Sequence, residues 1–101
     1  MAEIIKGTTP TVAFSFQNVN ISDLTKAIMT VKKAGEIKIE HDLSAATVEN
    51  KQLLWTLTQA ETLSVAGNAE IMLNWLTEDG TRGASNPTQV RFLPNHKEVE
   101  I

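Results

Sequence analysis

Large apolar residues alternate with polar ones along several short stretches of this chain, as they do in β-strands that turn one face to a core. The alternation is strongest in Lys51–Leu76. Leu53, Trp55 and Leu57 occupy every second position near its start, and the same period returns over Ala69–Leu76. This stretch therefore predicts two strands, around which the rest of the chain adds further strands.

A short helix is predicted between these two strands. Thr58 and Glu61 have the spacing of a capping box, in which the Thr hydroxyl accepts a hydrogen bond from the amide three residues on and the Glu carboxylate accepts one from the cap amide. Gly67 and Asn68 interrupt the apolar run soon afterwards. One or two helical turns are therefore expected near Gln59–Leu63.

Each of the two strands carries a tryptophan, Trp55 on the first and Trp75 on the second. An antiparallel pair with both indoles on one face predicts that the two side chains share a core. Truncation of such a buried aromatic side chain to Ala costs about 3–5 kcal/mol. The alternative interpretation is that one tryptophan is exposed and stacks on a ligand.

The same alternation predicts strands elsewhere in the chain. These segments are Ala2–Lys6, Thr11–Gln17, Ala27–Lys33, Glu36–Glu40, the neighbourhood of Thr47–Val48, Gln89–Leu93 and Lys97–Ile101. Seven or eight short strands at this spacing predict an all-β fold, either a sandwich or a barrel. The length of 101 residues predicts a single domain over residues 1–101.

Glycines mark the predicted turns, because glycine tolerates a positive φ angle. The dipeptide Ala34-Gly35 stands where a tight hairpin would join two strands. Ile37 and Ile39 are then expected to face the core from the second strand. Asp79-Gly80 predicts another turn, which continues as a loop to Asn86.

Composition excludes several classes of protein. Nine basic and 12 acidic residues give a net charge of −3, which predicts no general affinity for nucleic acid or for an anionic membrane. The chain has no cysteine, so neither a disulfide framework nor a thiolate metal site is available. Met1–Lys6 carries no apolar signal region, and no apolar run approaches the roughly 20 residues of a membrane helix.

No catalytic, cofactor-binding or metal site is predicted, and the chain is not expected to be an enzyme. His41 and His96 are far apart in the sequence, both in polar surroundings, and are interpreted as surface residues. A histidine-based metal site would need a third ligand that no spacing marks out. With no cysteine, a nucleophile would have to be Ser, Thr or Lys, and no base is placed beside one.

Two pairs of carboxylates fall on common strand faces, Glu40 with Asp42 and Glu98 with Glu100. They are interpreted as solvated or as edge charges that prevent strand-to-strand aggregation. A weak calcium site is the alternative. Arg82 follows an acidic turn; it either ties that loop down or contacts a partner protein, since arginine is enriched at interface hot spots.

Four stretches together carry a resemblance to a known group of proteins. They are Ile4–Pro10 (IIKGTTP), Asp23–Val31 (DLTKAIMTV), Leu54–Leu63 (LWTLTQAETL) and Trp75–Gly83 (WLTEDGTRG). In this order they resemble small β-sandwich proteins encoded among the structural genes of phages and prophages of Gram-positive bacteria. Those proteins are similar to the immunoglobulin-like N-terminal domain of phage baseplate upper proteins. The resemblance runs over about Glu3–Leu93 and implies an immunoglobulin-like antiparallel β-sandwich.

The resemblance also implies a function: a non-enzymatic virion structural or assembly protein, docking on other phage proteins in a tail or baseplate. It implies residence in the host bacterial cytoplasm during assembly and then in the virion. Because the chain ends at Ile101 without a fibrous receptor-binding extension, an adaptor, decoration or tail-associated subunit is expected. The resemblance supplies no functional residues, cofactor or metal.

Docking is expected at exposed sheet edges or loops, namely Ala2–Lys6, Glu78–Ser85 and Lys97–Ile101, where strand addition would supply main-chain hydrogen bonds. The expected partners are other phage structural proteins or further copies of the chain. The candidate interface residues are Arg82, Val99 and Ile101. The alternative function is a carbohydrate-binding or adhesion-type module, which would need exposed aromatic side chains.

Overall fold

Nine strands and one short α-helix form most of residues 2–101, the part of the chain that the structure, a computed structural model, describes. The strands are β1 Ala2–Ile5, β2 Thr11–Ser15, β3 Leu24–Lys33, β4 Glu36–Asp42, β5 Thr47–Glu49, β6 Gln52–Thr56, β7 Gly67–Thr77, β8 Arg82–Ala84 and β9 Thr88–Leu93. The helix, α1, is Gln59–Leu63, and short 3₁₀ turns occupy Ile21–Asp23 and Leu43–Ala45.

The strands form two sheets. The larger sheet has the order β1-β9-β7-β3-β4, and β8 also pairs with β7; the smaller sheet has the order β2-β6-β5. All the pairings are antiparallel except that of β1 with β9, which is parallel. This is the immunoglobulin-like partition, with the second, fifth and sixth strands in one sheet and the third, seventh and ninth in the other. The predicted immunoglobulin-like sandwich is confirmed, with nine strands rather than seven or eight.

The core lies between the two sheets, and Trp55 is its largest fully buried side chain, with 1% of its surface exposed. The Trp55 ring meets the Phe14 ring edge-on, with 5.9 Å between centroids. Its indole N–H donates a hydrogen bond of 2.9 Å to the carbonyl oxygen of Asp42. Trp55 therefore connects β2 and β4, which belong to different sheets, as well as filling the space between them.

The two strands of the 51–76 stretch are placed differently from the antiparallel pair that was expected. β6 belongs to the smaller sheet and β7 to the larger one, so they face each other across the core. Their alternation is as predicted, because Leu53 and Trp55 are buried on one strand and Ile71 and Leu73 on the other. A shared core face was predicted correctly, whereas direct pairing was wrong.

The helix α1 forms where the capping box predicted it. The Thr58 hydroxyl oxygen accepts a hydrogen bond of 3.2 Å from the Glu61 amide, and the Glu61 carboxylate accepts one of 2.8 Å from the Thr58 amide. Thr62 is buried; its hydroxyl donates to the Thr8 carbonyl and accepts from the Gly7 amide. These contacts fix the helix against the loop that joins the two sheets.

The prediction that Ile37 faces the core is wrong. The β3–β4 register shifts between Val31 and Lys32: Val31 is opposite Ile39, but Lys32 is opposite Ile37. This β-bulge gives β4 one extra residue and reverses its alternation. Ile39 is therefore buried beside Val31, while Ile37 lies on the outer face beside Lys32 and is 51% exposed.

Two further predictions near the end of the chain need correction. The loop expected after Asp79-Gly80 contains a short strand, β8, because the chain turns back and pairs with the second half of β7. The predicted edge strand at 97–101 is absent, since residues 94–101 carry no strand. Side chains around Asn95 and Glu98 instead hold this segment in an irregular path.

Gly83 on β8 lies directly against the indole ring of Trp75, and a Cβ atom at this position would overlap the ring. We expect Gly83→Ala to lower the free energy of unfolding by about 1–3 kcal/mol, the cost of overpacking a filled site. Urea denaturation followed by tryptophan fluorescence measures it. Ala84→Ser, at the exposed neighbouring residue, is the matched control. An equal loss in both variants would show that β8 itself, and not the Trp75 contact, is sensitive.

The turn between β3 and β4 places Ala34 at φ 52° and Gly35 at φ 80°. A side chain with a Cβ is disfavoured there by about 1–2 kcal/mol, and Asn tolerates this region best. We expect Ala34→Asn to raise the urea midpoint and Ala34→Val to lower it. Equal urea midpoints for the two variants would contradict this account of the turn.

Candidate functional site

The three candidate interface residues lie at opposite ends of the molecule. Arg82 begins β8, which pairs with the far end of β7, whereas Val99 and Ile101 follow β9, whose end pairs with the start of β7. The nine residue steps from Gly67 to Leu76 along β7 span about 30 Å at the usual rise of a strand. The structure therefore does not bring these residues together in one copy of the chain.

Residues 94–101, here called the terminal segment, are held at the end of the molecule that carries α1. Glu98 pairs with the Lys6 ammonium at 2.9 Å, and the Asn95 side chain donates to the Lys6 carbonyl at 2.8 Å. Beyond Glu98, the Ile101 amide donates to the Gln59 side chain at 2.9 Å. Val99 and Ile101 nevertheless remain 58% and 94% exposed.

Arg82 borders a pocket of about 250 Å³ on the outer face of the larger sheet, here called the cationic pocket. Its lining residues are Lys26, Ile28, Asn74, Trp75, Leu76 and Arg82. Lys26 pairs with Leu76, and Leu76 with Arg82, so these three side chains share one face of the sheet. Arg82 Nη2 donates to Asn74 Oδ1 at 3.2 Å, which directs the guanidinium along this face.

A second surface is the unpaired edge of β2, here called the open edge. In the immunoglobulin fold, a first strand normally covers this edge. In this chain the first strand, β1, pairs with β9 in the other sheet, and β2 ends the smaller sheet. The edge is therefore available to another strand.

The register identifies which peptide groups face outwards from the open edge. The Pro10 carbonyl accepts from the Leu57 amide, and the Phe16 amide donates to the Lys51 carbonyl. Because hydrogen-bonded pairs alternate along an antiparallel ladder, Val12 and Phe14 bond to β6. The peptide groups of Thr11, Ala13 and Ser15 point the other way.

An apolar groove of about 330 Å³ runs beside the open edge, between β1 and β2. The half-buried side chains of Ile4, Val12 and Phe14 contribute to its wall, and Ile71 and Val90 lie deeper. The two sheets are both unpaired on this side of the sandwich, which is why the core is accessible here.

The two histidines have different environments. His96 is exposed, as predicted, but His41 is half-buried, and its Nε2 atom lies 2.7 Å from Glu61 Oε2. Glu61 thus joins the start of α1 to β4 while its other oxygen completes the helix cap. Within residues 2–101, no three side chains of the metal-ligating types are close enough together to hold a metal ion. No helix of the described chain is long and apolar enough to span a membrane.

The condition for a carbohydrate-binding module, an exposed aromatic side chain, is not met. Trp55 is buried, and Trp75 is half-buried, with its ring 5.2 Å from that of Phe16 and covered by Gly83. Phe14 is half-buried and Phe92 is buried, so all five aromatic side chains contribute to the core.

One carboxylate of each candidate calcium-ligand pair, Asp42 and Glu98, is engaged locally. A hydrogen bond from the Ser44 hydroxyl holds the pKa of Asp42 below its ordinary value of 3.8. A hydrogen bond from the Lys6 ammonium, assisted by the Asn95 amide, lowers the pKa of Glu98. Both carboxylates therefore stabilise turns and chain ends.

Asp79 has the same role in the turn before β8. Its carboxylate accepts a hydrogen bond from the Thr77 hydroxyl and one of 3.0 Å from the Thr81 amide. These two hydrogen bonds lower the pKa of Asp79.

Sequence reasoning missed both the cationic pocket and the open edge. The pocket depends on the pairing of β8 with β7, for which three residues give no periodic signal. The open edge depends on which sheet β1 joins, and a four-residue strand carries no information about its partner. A usable signal was present in Lys26, Ile28, Asn74 and Leu76, which alternate with buried residues on β3 and β7.

Acid should destabilise this fold through the three carboxylates with lowered pKa values, Asp42, Asp79 and Glu98. A group with a lower pKa in the folded state binds its proton more weakly there, so its stabilisation is complete above its ordinary pKa and disappears as the pH falls below that value. We expect the thermal midpoint to fall between about pH 5 and about pH 3. The variant with Asp42→Asn, Asp79→Asn and Glu98→Gln should lose less over this interval. Parallel curves for the two proteins would show that other groups cause the acid sensitivity.

No protein-family model matches this chain, and no curated protein matches it. Among solved structures, the extracellular domains 3–5 of Drosophila OTK are similar, with a TM-score of 0.44 and 10% sequence identity. The alignment covers 94% of this chain and 33% of that structure, so the chain spans about a third of its length.

Proposed function

We propose that this chain is a non-enzymatic structural or assembly protein of a phage or prophage particle, which acts by docking on other tail or baseplate proteins. The open edge of β2 is the observation that carries the docking mechanism. The resemblance of four stretches of the sequence to phage structural proteins supports the assignment to a phage or prophage particle. In that setting the protein works in the host bacterial cytoplasm during assembly and then in the virion.

The open edge has the features that strand addition requires. Three outward-facing peptide groups, at Thr11, Ala13 and Ser15, offer main-chain hydrogen bonds to an incoming strand. The apolar groove beside the edge accepts alternate side chains of that strand, which gives the contact its specificity. Thr11, Ala13 and Ser15 are uncharged, and the charged side chain that lines the adjoining groove is Glu3 of β1.

The edge of β4 contrasts with this arrangement. It carries Glu36, Lys38 and Glu40, a salt bridge of 3.3 Å between the first two, and the bulge opposite Val31. Charges and bulges are the devices by which proteins prevent unwanted strand pairing. The larger sheet is thus protected at β4, while the smaller sheet is open at β2.

Ala13→Pro tests the mechanism. Proline removes the outward N–H and blocks an incoming strand, but it spares the ladder to β6, since the Ala13 N–H faces away from β6. We expect the tagged wild-type chain, produced in cells that assemble the particle, to co-sediment with tails in a density gradient. Ala13→Pro should be reduced at least tenfold in that fraction.

Ala13→Thr is the matched control, because it keeps the N–H and favours a strand. It should co-sediment like the wild type, and circular dichroism should show that both variants are folded. Equal incorporation of the proline variant would show that docking does not use the open edge. Failure of the wild-type chain to accompany any particle fraction would refute the phage role.

A further inference from the structure

The lining of the cationic pocket carries two basic side chains, while Asp42, opposite Ile28 in the register, lines an adjoining pocket together with Lys26. Lys26 and Arg82 border the cationic pocket, and its lining contains no carboxylate. Neither cation takes part in an ion pair with any of residues 2–101. The half-buried apolar side chains of Ile28 and Leu76 also line the pocket. The pocket therefore suits an occupant that presents a carboxylate next to apolar side chains.

The terminal segment of the chain has this chemistry. Glu98, Val99, Glu100 and Ile101 alternate acidic and apolar side chains. Glu98 is paired with Lys6, but Glu100 is exposed and in no ion pair with the described residues. Val99 and Ile101 are also exposed and contribute nothing to the core. The segment and the pocket are thus complementary in both charge and polarity.

A chain cannot place its own terminal segment in its own pocket. The two lie at opposite ends of β7, about 30 Å apart at the usual rise of a strand. Glu98 is anchored to Lys6, so residues 99–101 reach at most about 10 Å beyond it. The occupant must therefore come from another copy.

We infer that the terminal segment of one copy binds the cationic pocket of the next, with Glu100 beside Lys26 and Arg82, and with Val99 and Ile101 on Ile28 and Leu76. The contact is heterologous, because it joins two different surfaces. Repetition of such a contact produces a closed ring or a filament of copies. This inference rests on the proposed docking function and names a second copy as one partner.

Light scattering of the purified chain over a wide range of concentrations is the first measurement. The three contacting residues, 99–101, bury little area, so the contact belongs to the weak class of interfaces. The wild-type mass should therefore rise with concentration beyond twice that of the monomer. A wild-type chain that stays monomeric at every concentration would overturn the inference.

Two variants then separate the two surfaces. The segment variant carries Val99→Lys and Ile101→Lys; the pocket variant carries Lys26→Glu and Arg82→Glu. Each alone should remain monomeric. An equal mixture should form a complex of two chains and grow no further, because only one intact segment and one intact pocket remain to meet. A mixture that stays monomeric, beside a wild type that associates, would overturn the heterologous contact.

The matched control is Lys32→Glu with Arg91→Glu, an equal charge change on the same sheet face outside the pocket. It should associate like the wild type; a loss as large as that of the pocket variant would show that net charge alone governs association. Adding Glu100→Lys to the pocket variant should restore association by exchanging the two charges. These measurements use the purified chain alone. Self-association can therefore be absent while the chain still co-sediments with tails, and it can be present while the chain does not co-sediment.

Discussion

The structure depends on the contact between its two sheets, which apolar packing around Trp55 must maintain without a covalent bond. Immunoglobulin domains of antibodies join the same two sheets with a disulfide beside a buried tryptophan. This chain has no cysteine. Its indole N–H instead binds the Asp42 carbonyl, and its ring fills the space between β2, β4 and β6. This packing buries the inner faces of both sheets against each other. The surfaces described above are therefore the outer faces and the edges of the sheets, which stay exposed.

The parts of the fold that the sequence predicted are those with a local physical cause. The side chains of Thr58 and Glu61 each accept a hydrogen bond from the other residue's backbone amide, so their capping box needs no tertiary context. The parts that could not be predicted depend on distant partners. Ile37 has the same alternation as Ile39, yet a bulge against β3 moves it to the outer face. The alternation of 97–101 predicted a strand, but side-chain hydrogen bonds of Asn95, Glu98 and Gln59 hold this segment, and it pairs with no strand of the described chain. The candidate interface residues Arg82, Val99 and Ile101 are exposed. Their separation to opposite ends of the molecule could not be predicted, because it depends on the register of β7 with β8 and β9.

The β2 and β4 edges differ in how they meet an incoming strand, and this difference limits how the protein can associate. A β4 edge that carries charges and a bulge resists pairing. At β2, the outward-facing peptide groups and the adjacent groove favour it. Because β1 pairs with β9 and not with β2, the chain leaves uncovered an edge that its own first strand could have occupied. Such an arrangement leaves main-chain groups solvated until another strand pairs with them, as the proposed docking function requires.

The open edge, the cationic pocket and the terminal segment do not overlap. The edge lies on the side of the sandwich, the pocket on the outer face of the larger sheet, and the segment at the end that carries α1. In the assembly proposed above, one copy would use the pocket and the segment to bind its neighbours while its open edge still faces another protein. Contacts between copies would set the spacing of the edges, and repeated edges would bind a repetitive partner more strongly than a single edge does. A small domain with modest individual interfaces can act as a structural subunit in this way, since the strength of attachment comes from the number of edges and not from the area of any one of them.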